Sequence, residues 1–322
     1  MVRSVRLRSR GRRGSGPVLT RGPALRLALV LLATAQGGCG DSETALLRGD
    51  RFWADSNYTS ALAEYRLAMG QREMPEARAR VAHAYIKTGQ FERAREAYDR
   101  LLRDGSQYVD QAIMDYVTAA RQARNRSDRY GMAVAVEAAL ALRPGLPLDD
   151  MAAPLARYYA STGDGDRALD FFERALGSVP PDSVPDLLFE IGELHDDRGT
   201  CEEAIGFFEA YLDRAPDAPR VDEARWHLGE CAFQLGRQAR QRGELEKAVE
   251  YLDKAVQLGV PQSLQDQAWF ERGEAFLGQG NRDEALRSYR RVLELNRMGT
   301  GQLVERAQQR IDQIRFGRII GR

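Results

Sequence analysis

Residues 189–216 read FEIGELHDDRGTCEEAIGFFEAYLDRAP, and the spacing within this stretch decides the fold. Gly192 is followed twelve residues later by Ala204, and Gly199 stands five residues before that alanine. Phe208 follows four residues after it. Small residues let two antiparallel helices approach closely, an aromatic residue at helical spacing fills the gap, and glycine accepts the left-handed conformation that ends a helix. The stretch therefore predicts a helical hairpin.

The same hairpin pattern occurs five times along the chain. The pairs of small residues that are twelve apart are Gly49/Ala61, Ala82/Ala94, Ala156/Ala168, Gly192/Ala204 and Gly273/Ala285. The turn residues are Ser56, Gly89, Gly163, Gly199 and Gly280, and the aromatic residues are Tyr65, Tyr98, Phe172, Phe208 and Tyr289. A fixed pattern at a period of 20 to 50 residues is the signature of a repeat architecture.

These residues resemble the tetratricopeptide repeat (TPR), and the resemblance extends over residues 43–316. It implies an all-α, right-handed superhelical solenoid of about seven hairpins with a capping helix at the C-terminal end. We expect the units at residues 43–73, 75–104, 107–144, 149–180, 185–216, 221–259 and 264–297, the cap at 301–316, and a tail at 317–322.

Two of these units depart from the pattern. In residues 107–144 the alanines do not fall into phase with the other units. In residues 221–259 the small residue is assigned to Gly229, and Ala248 follows 19 residues later instead of twelve. Seven extra residues are two helical turns. We therefore expect a first helix that is two turns longer and protrudes from the solenoid with Arg237, Arg240 and Arg242.

The N-terminal residues have the features of an export signal. Residues 1–38 contain eight arginines and no acidic residue, and an apolar run at 27–33 precedes small residues and Cys39. This order is typical of a secretory signal peptide. The Gly-Gly-Cys sequence resembles a bacterial lipoprotein processing site, which implies acylation of Cys39 and a tether at residues 39–42. Plain secretion and an uncleaved anchor or wrongly assigned start are the alternatives.

Composition and motifs exclude several classes of function. Beyond residue 38 the chain carries 39 basic and 47 acidic residues, a net charge of about −8, which argues against nucleic-acid binding. No phosphate-binding loop, nucleophile elbow or paired-cysteine metal motif is present. His83, His195 and His227 are assigned packing or surface roles. We expect no enzyme, no cofactor and no metal, and make no prediction about self-association.

The first helices supply the candidate partner-binding residues. In solenoids of this family they line the concave face, and three helices here repeat the order aromatic, acid, third residue. The predicted groove residues are Phe189, Glu193 and Asp196; Trp226, Glu230 and Phe233; Phe270, Glu274 and Leu277. They would form an apolar stripe beside carboxylates and bind a peptide or helix with apolar anchors and Arg or Lys. Alternatively, the aromatic residues are partly covered by neighbouring helices.

Cys201 and Cys231 fall on helices that should be antiparallel neighbours. They form either a disulfide, if the chain is in an oxidising compartment, or two buried thiols.

The sequence thus predicts an exported, membrane-anchored scaffold for protein partners. It would face the periplasm from the outer or inner membrane of a bacterium. Residues 207–216 and 224–230 are similar to repeats of envelope lipoproteins of outer-membrane assembly and the Tol–Pal system. The alternative functions are a pilotin-like or secretion-system accessory factor and a cell-wall enzyme carrying the repeats as an appendage.

Overall fold

The computed structural model describes residues 41–259, 261–296 and 301–317, and these residues form fifteen α-helices and no strand. The helices pair into seven hairpins followed by a single helix, which confirms the all-α solenoid. The hairpins are α1(Asp41–Ala54) with α2(Tyr58–Gln71), α3(Pro75–Lys87) with α4(Phe91–Asp104), α5(Val109–Asn125) with α6(Arg129–Leu142), α7(Ala152–Ser161) with α8(Gly165–Leu176), α9(Val184–Asp197) with α10(Cys201–Arg214), α11(Val221–Gln241) with α12(Leu245–Leu258) and α13(Gln265–Gly278) with α14(Arg282–Leu295); α15(Gln302–Phe316) follows. The predicted signal peptide and Cys39 lie outside the described residues.

All seven hairpins close with the same turn. In the α9–α10 hairpin the N–H of Gly199 donates to the carbonyl of Asp196 (2.8 Å), and the N–H of Thr200 donates to the carbonyl of His195 (2.9 Å). These two bonds satisfy carbonyls left free at the end of the first helix, and they need a left-handed residue between the helices. The left-handed residues of the seven turns are Ser56, Gly89, Ser127, Gly163, Gly199, Gly243 and Gly280.

Each hairpin is packed around the small residue of its first helix. A Cβ atom added to Gly192 would lie 2.8 Å from the Phe208 ring, and one added to Gly273 would lie 2.6 Å from the Tyr289 ring. Both rings are fully buried. The predicted contact between a small residue and an aromatic residue sixteen positions later therefore holds the two helices together.

The α5–α6 hairpin keeps this register, contrary to the expectation that it falls out of phase. Counting from its left-handed residue, Ser127, places Ala120 at the small position and Met132 where the other units carry alanine. Val136 then stands at the aromatic position, and all three side chains are buried. Met132 is larger than the usual alanine and Val136 is smaller than the usual aromatic residue, so the two together fill a similar volume in the core.

The α11–α12 hairpin is also in register, but the small residue is Gly236 and not Gly229. Gly236 precedes Ala248 by twelve residues, and a Cβ atom on it would lie 2.5 Å from Leu252 Cγ. Helix α11 has 21 residues against 14 in α9 and α13, which confirms the two extra turns.

The predicted position of those turns is wrong. Helix α11 begins fifteen residues before Gly236, whereas α9 begins eight before Gly192, so the extra turns lie at the N-terminal end. Arg237, Arg240 and Arg242 therefore do not protrude on an extension. Arg240 instead pairs with Glu271 of α13 at 2.5 Å.

Helix α15 ends the described solenoid. Its Val304, Ala307 and Ile311 are buried, and Ala307 and Ile311 share a core with Phe270 and Tyr289. Among the described residues no helix is both long and apolar enough to cross a membrane.

Candidate functional site

Neighbouring first helices contact one another along one side of the stack, α3 with α5, α9 with α11 and α11 with α13. We call this side the first-helix face. Three of the nine predicted groove residues do not contribute to it, because Phe189, Phe233 and Phe270 are at most 3% exposed. The predicted aromatic stripe is therefore wrong.

Their burial follows from the repeat register. Each of these phenylalanines stands three residues before the small residue of its helix, one turn away, and so faces the hairpin core. The Phe189 ring, for example, packs against Phe208 and Tyr211 at centroid distances of 5.4 and 5.2 Å.

Trp226 differs from these residues because it lies on the extra turns of α11. Its side chain is 43% exposed and its ring contacts His227 edge-on, with centroids 4.9 Å apart. Leu277 is half-buried against the C-terminal core. Trp226 is thus the exposed aromatic residue of the predicted set.

The predicted carboxylates are half-buried, and most are held by neighbours. Glu193 accepts from Arg220 Nη2 at 2.8 Å, and Asp196 pairs with His227 Nδ1 at 2.6 Å. Glu274 accepts from the Tyr289 hydroxyl (2.6 Å) and from Arg310. Among the described residues, Glu230 has a single hydrogen-bond contact, from Gln234 Nε2 at 3.5 Å.

A cavity of about 300 Å³ opens on the first-helix face between α7, α9 and α11. Within it, Arg157 and Glu190 form a two-bond ion pair at 2.8 and 2.9 Å. Asp197 at its edge is exposed and has no ion-pair partner among the described residues. The lining residues are Arg157, Ala160, Phe172, Glu190, Glu193, Leu194, Asp197 and His227.

Arg220, which the sequence interpretation missed, holds Glu193, one of the residues that line this cavity. Its guanidinium lies 3.5 Å from the centroid of the Phe189 ring and donates to Glu193 and Glu223. The hydrogen bond from Arg220 holds the pKa of Glu223 below its usual range. The available signal was the position of Arg220 between Pro219 and the first residue of a first helix.

The carboxylates and imidazole near Arg220 are close enough to suggest a cation site. Ligand atoms of Glu193, Glu223 and His227 lie within 4.8 Å of one another. Arg220 already donates to both carboxylates, so a cation would have to displace its guanidinium.

Cys201 and Cys231 are joined by a disulfide bond in the structure, with their Cα atoms 5.0 Å apart. This distance is within the range that a disulfide requires. Both residues are buried, and Asp196 Oδ1 lies 3.2 Å from Cys231 Sγ. The bond ties the first turn of α10 to the middle of α11.

The other two histidines have local packing contacts. His195 Nδ1 is 2.8 Å from Thr200 Oγ1, and its ring stacks on Phe207. His83 lies edge-on to Trp53 and 3.5 Å from Asp115. Burial lowers the pKa of both histidines, which favours their neutral form.

Comparison with known proteins supports the repeat assignment. Tetratricopeptide repeat models match residues 52–113, 153–219 and 266–297, together half of the chain. The Photosystem I assembly protein Ycf3 of Rippkaea orientalis is 26% identical over 137 residues, which cover 39% of this chain and 79% of that protein.

Solved structures of repeat proteins are also similar to this chain. A tetratricopeptide repeat protein from Parabacteroides merdae is 14% identical, covers 85% of this chain and 98% of its own, and gives a TM-score of 0.31. YrrB, described as a TPR protein with an unusual peptide-binding site, is 17% identical with a TM-score of 0.32, covering 60% of this chain and 90% of its own. With three repeat models matched and seven hairpins observed, this chain is a tetratricopeptide repeat protein.

Proposed function

We propose that this protein is a non-enzymatic scaffold whose first-helix face binds a basic segment of a partner protein. We further propose that an acylated Cys39 holds it to a membrane of a bacterial envelope, facing the periplasm. The binding proposal rests on the cavity between α7, α9 and α11, and the anchoring proposal rests on the sequence of residues 1–39.

The charge of the cavity favours a basic partner. Glu190, Glu193 and Asp197 line it, and Arg157 is the one guanidinium among its lining residues. Arginine donates two parallel hydrogen bonds to a carboxylate, and lysine offers a point charge, so either would pair with Asp197. Partner aromatic or aliphatic side chains have a contact at the exposed Trp226.

A photocrosslinking pair tests the binding face. The chain would carry p-benzoylphenylalanine in place of Trp226 on the first-helix face or, as control, in place of the exposed Tyr130 on the second helix α6. We expect partner adducts from position 226 and not from position 130 when the protein is crosslinked in a bacterial envelope. Equal adducts from both positions would reject the proposed face.

A charge reversal tests the chemistry of the partner. Asp197→Lys should lower the yield of the adduct formed from position 226. The new lysine carries the same positive charge as the proposed basic segment of the partner and would repel it. Asp213→Lys on α10 is the matched control, since Asp213 is also exposed and without an ion pair in the described structure. If both variants keep the adduct at full yield, the partner segment is not held by basic residues.

The disulfide between Cys201 and Cys231 agrees with export, because disulfides persist in oxidising compartments. Anchoring is tested by labelling with a fatty acid, comparing the natural chain with Cys39→Ser. The natural chain should be labelled and fractionate with membranes, and the variant should lose both properties. A mature chain that is unlabelled would remove the anchor from the proposal and leave the binding face untouched.

A further inference from the structure

A second cavity lies on the opposite helices, between α4 and α6. We call it the α4–α6 cleft; its volume is about 470 Å³, the size of a small-molecule site. It belongs to the second helices of their hairpins and is separate from the proposed binding face. Its lining residues are Glu92, Arg95, Tyr98, Asp99, Leu102, Tyr116, Val134, Glu137, Ala138, Ala141 and Leu142.

Small side chains on α6 leave the apolar floor of the cleft uncovered. Ala138 stands six residues after Met132, a repeat position that α4 fills with Arg100 and α8 with Arg174. Long arginine side chains can lie over apolar surface, and alanine cannot. Ala138 and Ala141, with Leu142, therefore offer a narrow apolar strip.

Tyr116 places an unpaired polar group at this strip. It is 2% exposed, and its hydroxyl has no hydrogen-bond partner among the described residues. The neighbouring Tyr98, by contrast, donates to Asp115. Buried hydroxyls are nearly always paired, so an orphaned one that lines a cavity indicates a ligand atom that would complete it.

The rim supplies negative charge close to that hydroxyl. Glu92 and Asp99 are seven residues apart on α4, two turns along one face. Neither has an ion pair or hydrogen bond in the part of the chain that the structure describes. Burial raises the pKa of Tyr116. The charge of Asp99 raises this pKa further, Arg95 lowers it, and Asp115 and Glu92 add smaller increases.

Of the remaining charged groups of the cleft, Arg95 opposes this field, since its charge lowers the pKa of Tyr116. Arg95 lies between the two acids in the sequence of α4 and is exposed. Glu137 forms an ion pair with Arg167 and accepts a hydrogen bond from the Tyr159 hydroxyl. The cleft lining therefore combines three carboxylates against one guanidinium, with one hydroxyl oxygen and an apolar strip.

We propose that the α4–α6 cleft binds a primary alkylammonium group. An ammonium has three N–H donors and no acceptor, which suits the Asp99 carboxylate and the Tyr116 hydroxyl oxygen, and Glu92, two turns away on α4, adds negative charge at the rim. The attached alkyl chain lies along Ala138, Ala141 and Leu142. A free amine and the side chain of a partner's lysine both carry this group.

Calorimetric titration of the full chain distinguishes this ligand chemistry from simple apolar binding. The probes are hexylamine, hexanoate and 1-hexanol, which share one alkyl chain and differ in the head group. Hexylamine should bind saturably and at least about tenfold more tightly than the other two, because a hydrogen bond to a charged group is worth that much. Equal affinities, or no saturation by hexylamine, would overturn the proposal.

Nα-acetyl-lysine methylamide is the second ammonium probe and identifies the source. Tighter binding of this compound than of hexylamine points to a lysine of a partner, and tighter binding of hexylamine points to a free amine. Both results support the ammonium site.

Three substitutions and one control locate the site. Asp99→Asn and Tyr116→Phe should each lower the affinity for hexylamine by about tenfold or somewhat less. Ala138→Leu should prevent hexylamine from binding, because the larger side chain fills the apolar strip. Glu173→Gln on α8 is the control, since Glu173 occupies the repeat position of Asp99 and is also exposed without a partner among the described residues. If Tyr116→Phe, the mildest of the three for folding, binds hexylamine as the natural chain does, the hydroxyl is no part of such a site and the proposal fails.

Discussion

The α5–α6 and α11–α12 hairpins both depart from the pattern of the other five units, and they do so in different ways. The α5–α6 hairpin changes the volumes of its core side chains, with Met132 and Val136 in place of alanine and an aromatic residue. The α11–α12 hairpin keeps a glycine against Leu252 and adds two turns to its first helix. Both keep their register when it is counted from the turn residue, Ser127 or Gly243. The position of each core residue is therefore fixed relative to the turn, and the first helix varies in length at its N-terminal end, away from the turn.

The largest expected effect tests the new register of α11. Phe233→Ala should destabilise the protein by about 3–5 kcal/mol, because it empties the position that Phe189 and Phe270 fill in their hairpins. Trp226→Ala should cost about 1 kcal/mol or less, because Trp226 lies on the added turns and is exposed. Chemical denaturation measures both; a larger loss for Trp226→Ala would restore Gly229 as the small residue.

The disulfide should be the next largest contribution, because it joins the first turn of α10 to the middle of α11 and closes a loop in the unfolded chain. Replacing Cys201 and Cys231 together by alanine should lower the free energy of unfolding by about 3–4 kcal/mol, given the 30-residue separation. The natural chain unfolded under reducing conditions is the control and should resemble the variant. Equal stability of the oxidised natural chain and the variant would mean that the bond adds nothing.

The volume exchange in α5–α6 predicts a rescue. Met132→Ala should cost about 2–4 kcal/mol, because Val136 is too small to fill the space that an aromatic residue fills elsewhere. Adding Val136→Phe should recover part of that loss, although the same change alone should overpack the core. A double-mutant cycle measures the coupling, and additive effects would show that the two positions do not compensate.

A smaller loss is expected at Gly236. Its substitution by alanine should cost about 1–3 kcal/mol, because the new Cβ would lie 2.5 Å from Leu252 Cγ and 3.2 Å from the Leu252 backbone nitrogen. Gly206→Ala on α10 is the control, since a Cβ there meets no atom within 4 Å. That control should gain up to about 1 kcal/mol from helix propensity. Thermal melting of the two variants should therefore shift in opposite directions.

The smallest effect concerns the turn of α5–α6. Ser127 has a φ of 59°, in the left-handed region that five other turns give to glycine. Ser127→Gly should stabilise the hairpin by about 0.5–1 kcal/mol, because it relieves the contact between Cβ and the backbone. A denaturation midpoint that falls instead would indicate that the serine side chain is needed at the turn.

Sequence reasoning reached the helical hairpins because their determinants are local. The spacing from Gly192 to Ala204 and Phe208 predicts which residues meet, and the structure places the Phe208 ring against Gly192. The same reasoning failed for α11, because Trp226 precedes Gly229 by three residues, as Phe189 precedes Gly192 in the α9–α10 hairpin. The twelve-residue spacing of Gly236 and Ala248 was the signal that would have corrected it.

The candidate site was less accessible to sequence reasoning than the fold. The half-buried acids Glu193, Asp196 and Glu274 were placed on the first helices correctly, but Phe189 and Phe270 were predicted to be exposed. An aromatic residue at a helical period can face a groove or a core, and only the packing of the neighbouring helix decides which. The contacts of Arg220 with Glu193 and Phe189 join segments 27 and 31 residues apart, beyond any local pattern.

The sequence by itself determined that the chain is a stack of helical hairpins, because turn residues and small residues at fixed spacing act within each unit. The tertiary structure alone decided which side chains remain at the surface. It buried Phe189, exposed Trp226 and paired Glu193 with Arg220, and it gave the Tyr116 hydroxyl beside the cleft no hydrogen-bond partner among the described residues. The reason is that each unit is covered by the next, so the exposure of a side chain depends on a neighbouring helix as much as on its own.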